Sequence, residues 1–277
     1  MITGRSFSVR KRLRAFTLTE LLVAIALVGI LFSMMAPVLA RAKGKAFEVY
    51  SLNNLRNISV GQQLFASDHD DRLVPHAILK PPAQGAVIPN AHLTLWPDLL
   101  ESYVGDRRVY QSPCMKCDPD RGIGYGMNLS VAGAFAVETE SDGAHSTEIR
   151  NPAQTILFAD AAFVTRDTMY RPVNEWEEDV SRPMGTWTIR TPADPLWNLT
   201  PTRVMPRNGG RANVAFVDGH VESLTIPQLG FDKPAGHPLN WWDRYSVVHR
   251  RPKMIAVPSG HCSCGSNAAI SRARSNL

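Results

Sequence analysis

The stretch Ala15-Phe16-Thr17-Leu18-Thr19-Glu20 decides how this chain is organised. Before it lies a basic leader, Met1 to Ala15, carrying Arg5, Arg10, Lys11, Arg12 and Arg14 and no acid. After it, Leu21 to Ala40 (LLVAIALVGILFSMMAPVLA) contains no charge. That run has the length a helix needs to cross a bilayer core, about 20 residues. Glu20 sits at the head of the run, where an unpaired carboxylate is costly and calls for a partner. A cut between Ala15 and Phe16 would create one, since the new amino terminus is a cation that a neighbouring copy can bring to Glu20.

At these residues the chain resembles the type IV pilin and type II secretion pseudopilin superfamily. The shared pattern is a short basic leader, a cut before Phe, the motif F-T-L-x-E (Phe16, Thr17, Leu18, Glu20) and a long apolar helix. Pro37 stands where many pilins carry a helix-kinking proline, and a proline removes one backbone donor. The residue before the cut departs from the pattern, because the family usually has Gly and here it is Ala15. The resemblance implies cleavage at Ala15/Phe16 by a prepilin peptidase and methylation of the new Phe16 amine. It also implies assembly through Glu20 with other pilin or pseudopilin subunits on an inner-membrane platform. An ordinary signal peptide with Ala40-Arg41-Ala42 as its cut site is the competing reading. The apolar run is too long for that, and nothing in a signal peptide requires Glu20.

The charge balance fits. The formal net charge is +5 and the pI about 9.2, but the leader's five cations account for that excess. A chain beginning at Phe16 is near neutral, so nucleic acid is not an expected partner. Lys and Arg in the leader place the N-terminus in the cytoplasm and the head outside the inner membrane.

The expected fold is α+β and pilin-like, a long N-terminal helix packed on an antiparallel sheet with loop-rich insertions. Twenty Pro and nineteen Gly support a strand-and-loop head over a helical bundle. The boundaries read as leader 1–15, helix 16–66 with span 21–40, head 67–258 and flexible tail 259–277. From 42 to 66, Phe47, Tyr50, Leu55, Ile58 and Phe65 share one side of a 3.6-residue helix, with Val49, Leu52 and Val60 off it. The helix stops at Asp68-His69-Asp70-Asp71, acids that invite calcium but lack the spacing of an EF-hand loop. Ala91 to Val104 reads as a short helix, and Thr155 to Ala159 as a buried strand ending at Asp160.

Cys114 and Cys117, with Cys262 and Cys264, permit disulfides or a zinc site. Disulfides are the expected chemistry outside the cytoplasm, and no cofactor is expected. Arg171 to Pro206 is polar and proline-dotted, with Trp176, Trp187 and Trp197. It is where a binding surface would lie, unless those rings only plug the insertion onto the sheet. Residues 213–224 read as a β-hairpin turning at Asp218-Gly219. The stretch resembles the C-terminal signature of large pilin-like proteins of planctomycetes and related bacteria, a His, nine residues, then Asp-Gly. Here Asn208 replaces that His.

No G-x-S-x-G or H-E-x-x-H motif occurs, and the eight histidines are scattered, so no enzymatic role is expected. The functional expectation is a subunit of a type IV pilus or secretion pseudopilus. The alternative is an anchored extracytoplasmic binding protein, an adhesin or glycan binder, that uses the segment only for export.

Overall fold

The computed structural model describes residues 17–80, 92–113, 115, 122–132, 136–137, 143–182, 184–192, 194, 196–230 and 241–242. Its first element is helix α1, Leu18–Asp68, which begins at the N-cap Thr17 and contains Pro37 without interruption. Every residue from 17 to 46 is exposed, and burial begins in earnest at Ser51. One half of the helix thus carries apolar side chains that meet no protein, and the other half docks.

The docked face differs from the expected apolar stripe. Leu55, Ile58 and Phe65 are buried, but Tyr50 is exposed and Phe47 only half-buried. In their place Ser51, Asn54, Ser59 and Gln62 turn inward. Buried polar side chains require partners, and the head supplies them to Ser51, Asn54 and Gln62 Oε1, whereas Ser59 Oγ and Gln62 Nε2 have none among the described residues. Asn54 donates to the Gln111 carbonyl at 3.1 Å, and Gln62 Oε1 accepts from the Val74 amide at 3.1 Å. The helix ends with Asp70 and Asp71 in the left-handed region (φ 51° and 57°), a conformation short polar side chains tolerate. Asp68 meanwhile accepts a hydrogen bond from Tyr103 at 3.1 Å.

Strands β1 (Ala77–Lys80), β2 (His92–Leu95) and β4 (Ala136–Val137) form a small sheet in the order β2-β1-β4. The expected helix over 91–104 is replaced at its start by β2, which pairs antiparallel with β1 from Ala77↔Leu95 to Lys80↔His92. Helix follows only at α2 (Trp96–Leu99) and α3 (Glu101–Val104), with Pro97 in the first turn, where a missing N–H costs nothing.

The main sheet runs β6-β3-β5-β8-β9, with β7 also on β5. Its members are β3 (Tyr125–Asn128), β5 (Ile156–Phe163), β6 (Thr188–Ile189), β7 (Thr202–Val204), β8 (Arg211–Phe216) and β9 (Val221–Thr225). All contacts are antiparallel except β3 with β6. Strand β5 does not end at Asp160 as its apolar run suggested; it continues to Phe163 and buries the carboxylate.

A register shift between Ile156 and Phe158 lets Leu157 and Phe158 face the same core. That core joins them to Leu55, Ile58, Phe65, Trp96 and Tyr125 beneath α1. Full burial of each large aliphatic or aromatic side chain contributes about 1.5–3 kcal/mol. Ile156, Ala159, Val214 and Phe216 point into a separate cluster closed by Leu229 and Trp242, whose indole N–H donates to the Leu229 carbonyl.

Candidate functional site

The N-terminal segment is positioned by its own capping chemistry. A helix start leaves backbone N–H groups without partners, and Thr17 with Glu20 resolves this as a capping box. Glu20 Oε2 accepts from the Thr17 amide at 2.9 Å and from the Thr17 hydroxyl at 2.8 Å. The Thr17 Oγ1 accepts in turn from the Glu20 amide at 3.3 Å. The carboxylate therefore folds back onto Thr17, toward the chain's N-terminal side. Ala15 and Phe16 themselves lie outside the described residues.

Below it stands the exposed half of α1. Among the described residues this is the one helix long and apolar enough to cross a membrane. Pro37 sits inside it.

The hairpin turn forms a second candidate. Asp218 and Gly219 link β8 to β9, with Asp218 Oδ1 accepting from the His220 amide at 3.1 Å and contacting His220 Nδ1 at 2.5 Å. The His220 ring stacks on Phe216, centroids 4.0 Å apart and 6° from parallel. Gly219 has φ +94°, and a Cβ there would lie 2.3 Å from Gln63 Nε2. Gln63 reaches across from α1 and donates to the Asp218 carbonyl at 2.8 Å. The turn is thus a docking point for the helix.

A third cluster was missed in the sequence. Asp160, fully buried at the centre of β5, accepts from Ser51 Oγ at 3.1 Å and from the Asn213 amide at 2.9 Å. Tyr125, its cross-strand neighbour, donates to Ser51 Oγ at 3.0 Å and accepts from Asn54 at 3.4 Å. Arg207 lies nearby, bonded to the Gly124 and Ala161 carbonyls and to Glu178 at 2.9 Å. Burial pushes the Asp160 carboxyl up to about 6; Arg207, the Asn213 amide and Ser51 pull against it, and Glu178 adds to the rise. The available signal was a carboxylate inside an apolar strand, a placement tolerated only when hydrogen-bonded.

Of the insertion's tryptophans, Trp187 is half-buried against the main core and its carbonyl accepts from the Trp96 indole at 2.7 Å. Trp176 and Trp197 stay together at the surface, centroids 5.9 Å apart. Cys114, Cys117, Cys262 and Cys264 lie outside the described residues. No group of three or more His, Cys, Asp or Glu side chains suited to a metal occurs among the described residues.

Comparison with known families finds the prokaryotic N-terminal methylation motif at residues 10–36. No curated protein and no solved structure matches the chain. The match covers the end of the basic leader from Arg10, the Ala15/Phe16 junction, Glu20 and the apolar run as far as Ala36.

Proposed function

We propose that the protein is a membrane-anchored subunit of a type IV pilus or a type II secretion pseudopilus. The observation that carries this reading is the methylation motif at 10–36 followed by a helix, Leu18–Asp68, that is bare as far as residue 46 and docked on a head beyond. In this reading a prepilin peptidase removes Met1 to Ala15 and the Phe16 amine is methylated. Leu21 to Ala40 holds the subunit in the inner membrane, N-terminus inward and head outward. The role is structural and needs neither cofactor nor catalytic residue. The turn at 218–220 is the counterpart of the planctomycete-type C-terminal signature, with Asn208 in the place of its His.

Assembly follows from the capping geometry. In a lone subunit Glu20 is hydrogen-bonded to Thr17, so it tolerates the membrane edge without a counter-ion. Among packed helices, where charge is expensive unless paired, the Phe16 amine of a neighbour supplies that counter-ion and sets axial register.

The mass and N-terminal sequence of the protein from its native membrane test the first step. A chain beginning at Phe16 is expected; one beginning at Lys43 would have lost the apolar half of α1, and the proposal with it. Glu20→Ala is expected to insert normally and to be absent from sheared filaments, and wild-type incorporation would contradict the pairing.

A further inference from the structure

The insertion after β5 holds a cleft that filament assembly does not use. It encloses about 500 Å³ and is lined by Tyr170, Trp176 and Trp197, with Arg171 and Asn198 at its polar positions. Tyr170 is in its lining, and Leu196 and Leu199 flank Trp197 and Asn198 in sequence. Tyr170 is 70% exposed, Leu199 71% and Leu196 42%, a grouping that on a soluble surface marks a binding site more often than chance exposure.

The aromatic walls are held in place. The guanidinium of buried Arg203 lies 3.5 Å from the Trp197 ring centroid and 5.6 Å from that of Trp176. It is fixed by the Trp197, Thr200 and Thr202 carbonyls, at 2.8, 2.7 and 3.0 Å. The two indoles are tilted by 56° and so form a trough, not a flat stack. A trough whose walls are locked beforehand loses little conformational entropy when a ligand enters.

What the cleft offers a ligand is specific. The Trp176 indole N–H is spent on the Arg171 carbonyl at 3.0 Å, and the Tyr170 hydroxyl on the Asn198 carbonyl at 3.1 Å. These two rings therefore present faces, not donors. Proline-rich peptides also dock in aromatic-lined grooves, but a prolyl segment has no N–H to give to an acceptor. By contrast, the Arg171 guanidinium and the Asn198 amide have no partner among the described residues, and together they supply donors and an acceptor. Negative ring faces flanked by groups that pair with hydroxyls suit a pyranose, whose C–H faces are weakly positive and whose edges carry hydroxyls. The lining contains no carboxylate and one cation, which favours an uncharged sugar.

We infer that the trough formed by Trp176, Trp197 and Tyr170 is a binding site for a neutral polysaccharide. This reading stands apart from filament assembly. The test is native affinity electrophoresis of the full chain in a detergent without a sugar headgroup. The gels contain mixed-linkage β-glucan, galactomannan, soluble starch or hydroxyethylcellulose. Retardation in at least one gel is expected, with the apparent affinity falling at least tenfold in Trp176→Ala. Because Trp176 also packs on Met169 and Met205, Tyr170→Ala and Asn198→Ala, both at exposed positions, provide variants in which the fold is spared, and each is expected to weaken retardation. No retardation in any gel, or retardation unchanged by all three substitutions, would overturn the inference. Binding of a fluorescent polyproline decapeptide in place of the polysaccharides would overturn it too and assign the cleft to peptide.

Discussion

Asp160 is the residue on which the head's response to pH turns. Its carboxylate is enclosed by Ser51 from α1, Tyr125 from β3 and the Asn213 amide from β8, with Arg207 and Glu178 as the neighbouring charges. In the folded state it holds its proton up to about pH 6, whereas an unfolded chain releases it near 3.9. The folded form therefore binds more protons between those values, and stability falls as pH rises through that window. The full chain in detergent should accordingly show a higher thermal midpoint at pH 4.5 than at pH 7, with a slope that Asp160→Asn removes. An unchanged slope in that variant would place the titration elsewhere. Asp160→Ala is a different experiment, since it leaves the Asn213 amide and Ser51 without their acceptor. An unsatisfied buried group costs about 1–3 kcal/mol, so its midpoint should drop at every pH.

At the scale of elements, α1 is held to the head by close approach as much as by burial. A Cβ on Gly61 would lie 2.6 Å from Val104 Cγ2, whereas one on Gly44 would meet nothing within 4 Å. In an open helix Gly→Ala stabilises by about 1 kcal/mol. Gly44→Ala should therefore slow amide exchange around residue 44 without loss of head stability. Gly61→Ala should have the opposite sign, because overpacking α1 against α3 costs about 1–3 kcal/mol. Equal effects at the two glycines, read by urea unfolding of the head, would show that α3 does not constrain the helix. The turn gives a parallel case. Gly219→Ala should cost about 1–2 kcal/mol for its positive φ, and Gln63→Ala should relieve only the steric part.

These contacts also explain what the sequence could and could not disclose. Leu21 to Ala40 is legible because lipid is a uniform solvent that any apolar side chain satisfies, so composition suffices. The hairpin at 218–219 is legible because turn chemistry is local. The docked face of α1 is not, because Ser51, Asn54 and Gln62 read as solvent-facing until Asp160, Gln111 and Val74 are known to meet them. The full length of strand β5 is hidden for the same reason: an aspartate reads as a strand end unless its partners are visible. Nor does any local pattern pair Arg203 with tryptophans at 176 and 197.

For the molecule as a whole, the helix keeps the proposed assembly determinant, Glu20, apart from the head and its proposed binding site. At 1.5 Å per residue its 51 residues extend about 75 Å, with Glu20 in the first turn and head contacts confined to residues beyond 46. Among the described residues, the head's polar seam and its two main cores draw nothing from the exposed half. Assembly and ligand binding should consequently fail independently. Glu20→Ala, purified from membranes, should be retarded by polysaccharide as the wild type is, yet be missing from the sheared filament fraction. Tyr170→Ala should enter that fraction at the wild-type level while losing retardation. Sites more than 7–10 Å apart with no shared partners usually behave additively, so the double variant should show both defects at the magnitudes of the single ones. Loss of polysaccharide binding in purified Glu20→Ala subunits would mean instead that the head depends on the N-terminal segment for its fold. The separation along α1 would then be wrong, whichever way the N-terminal sequence had come out.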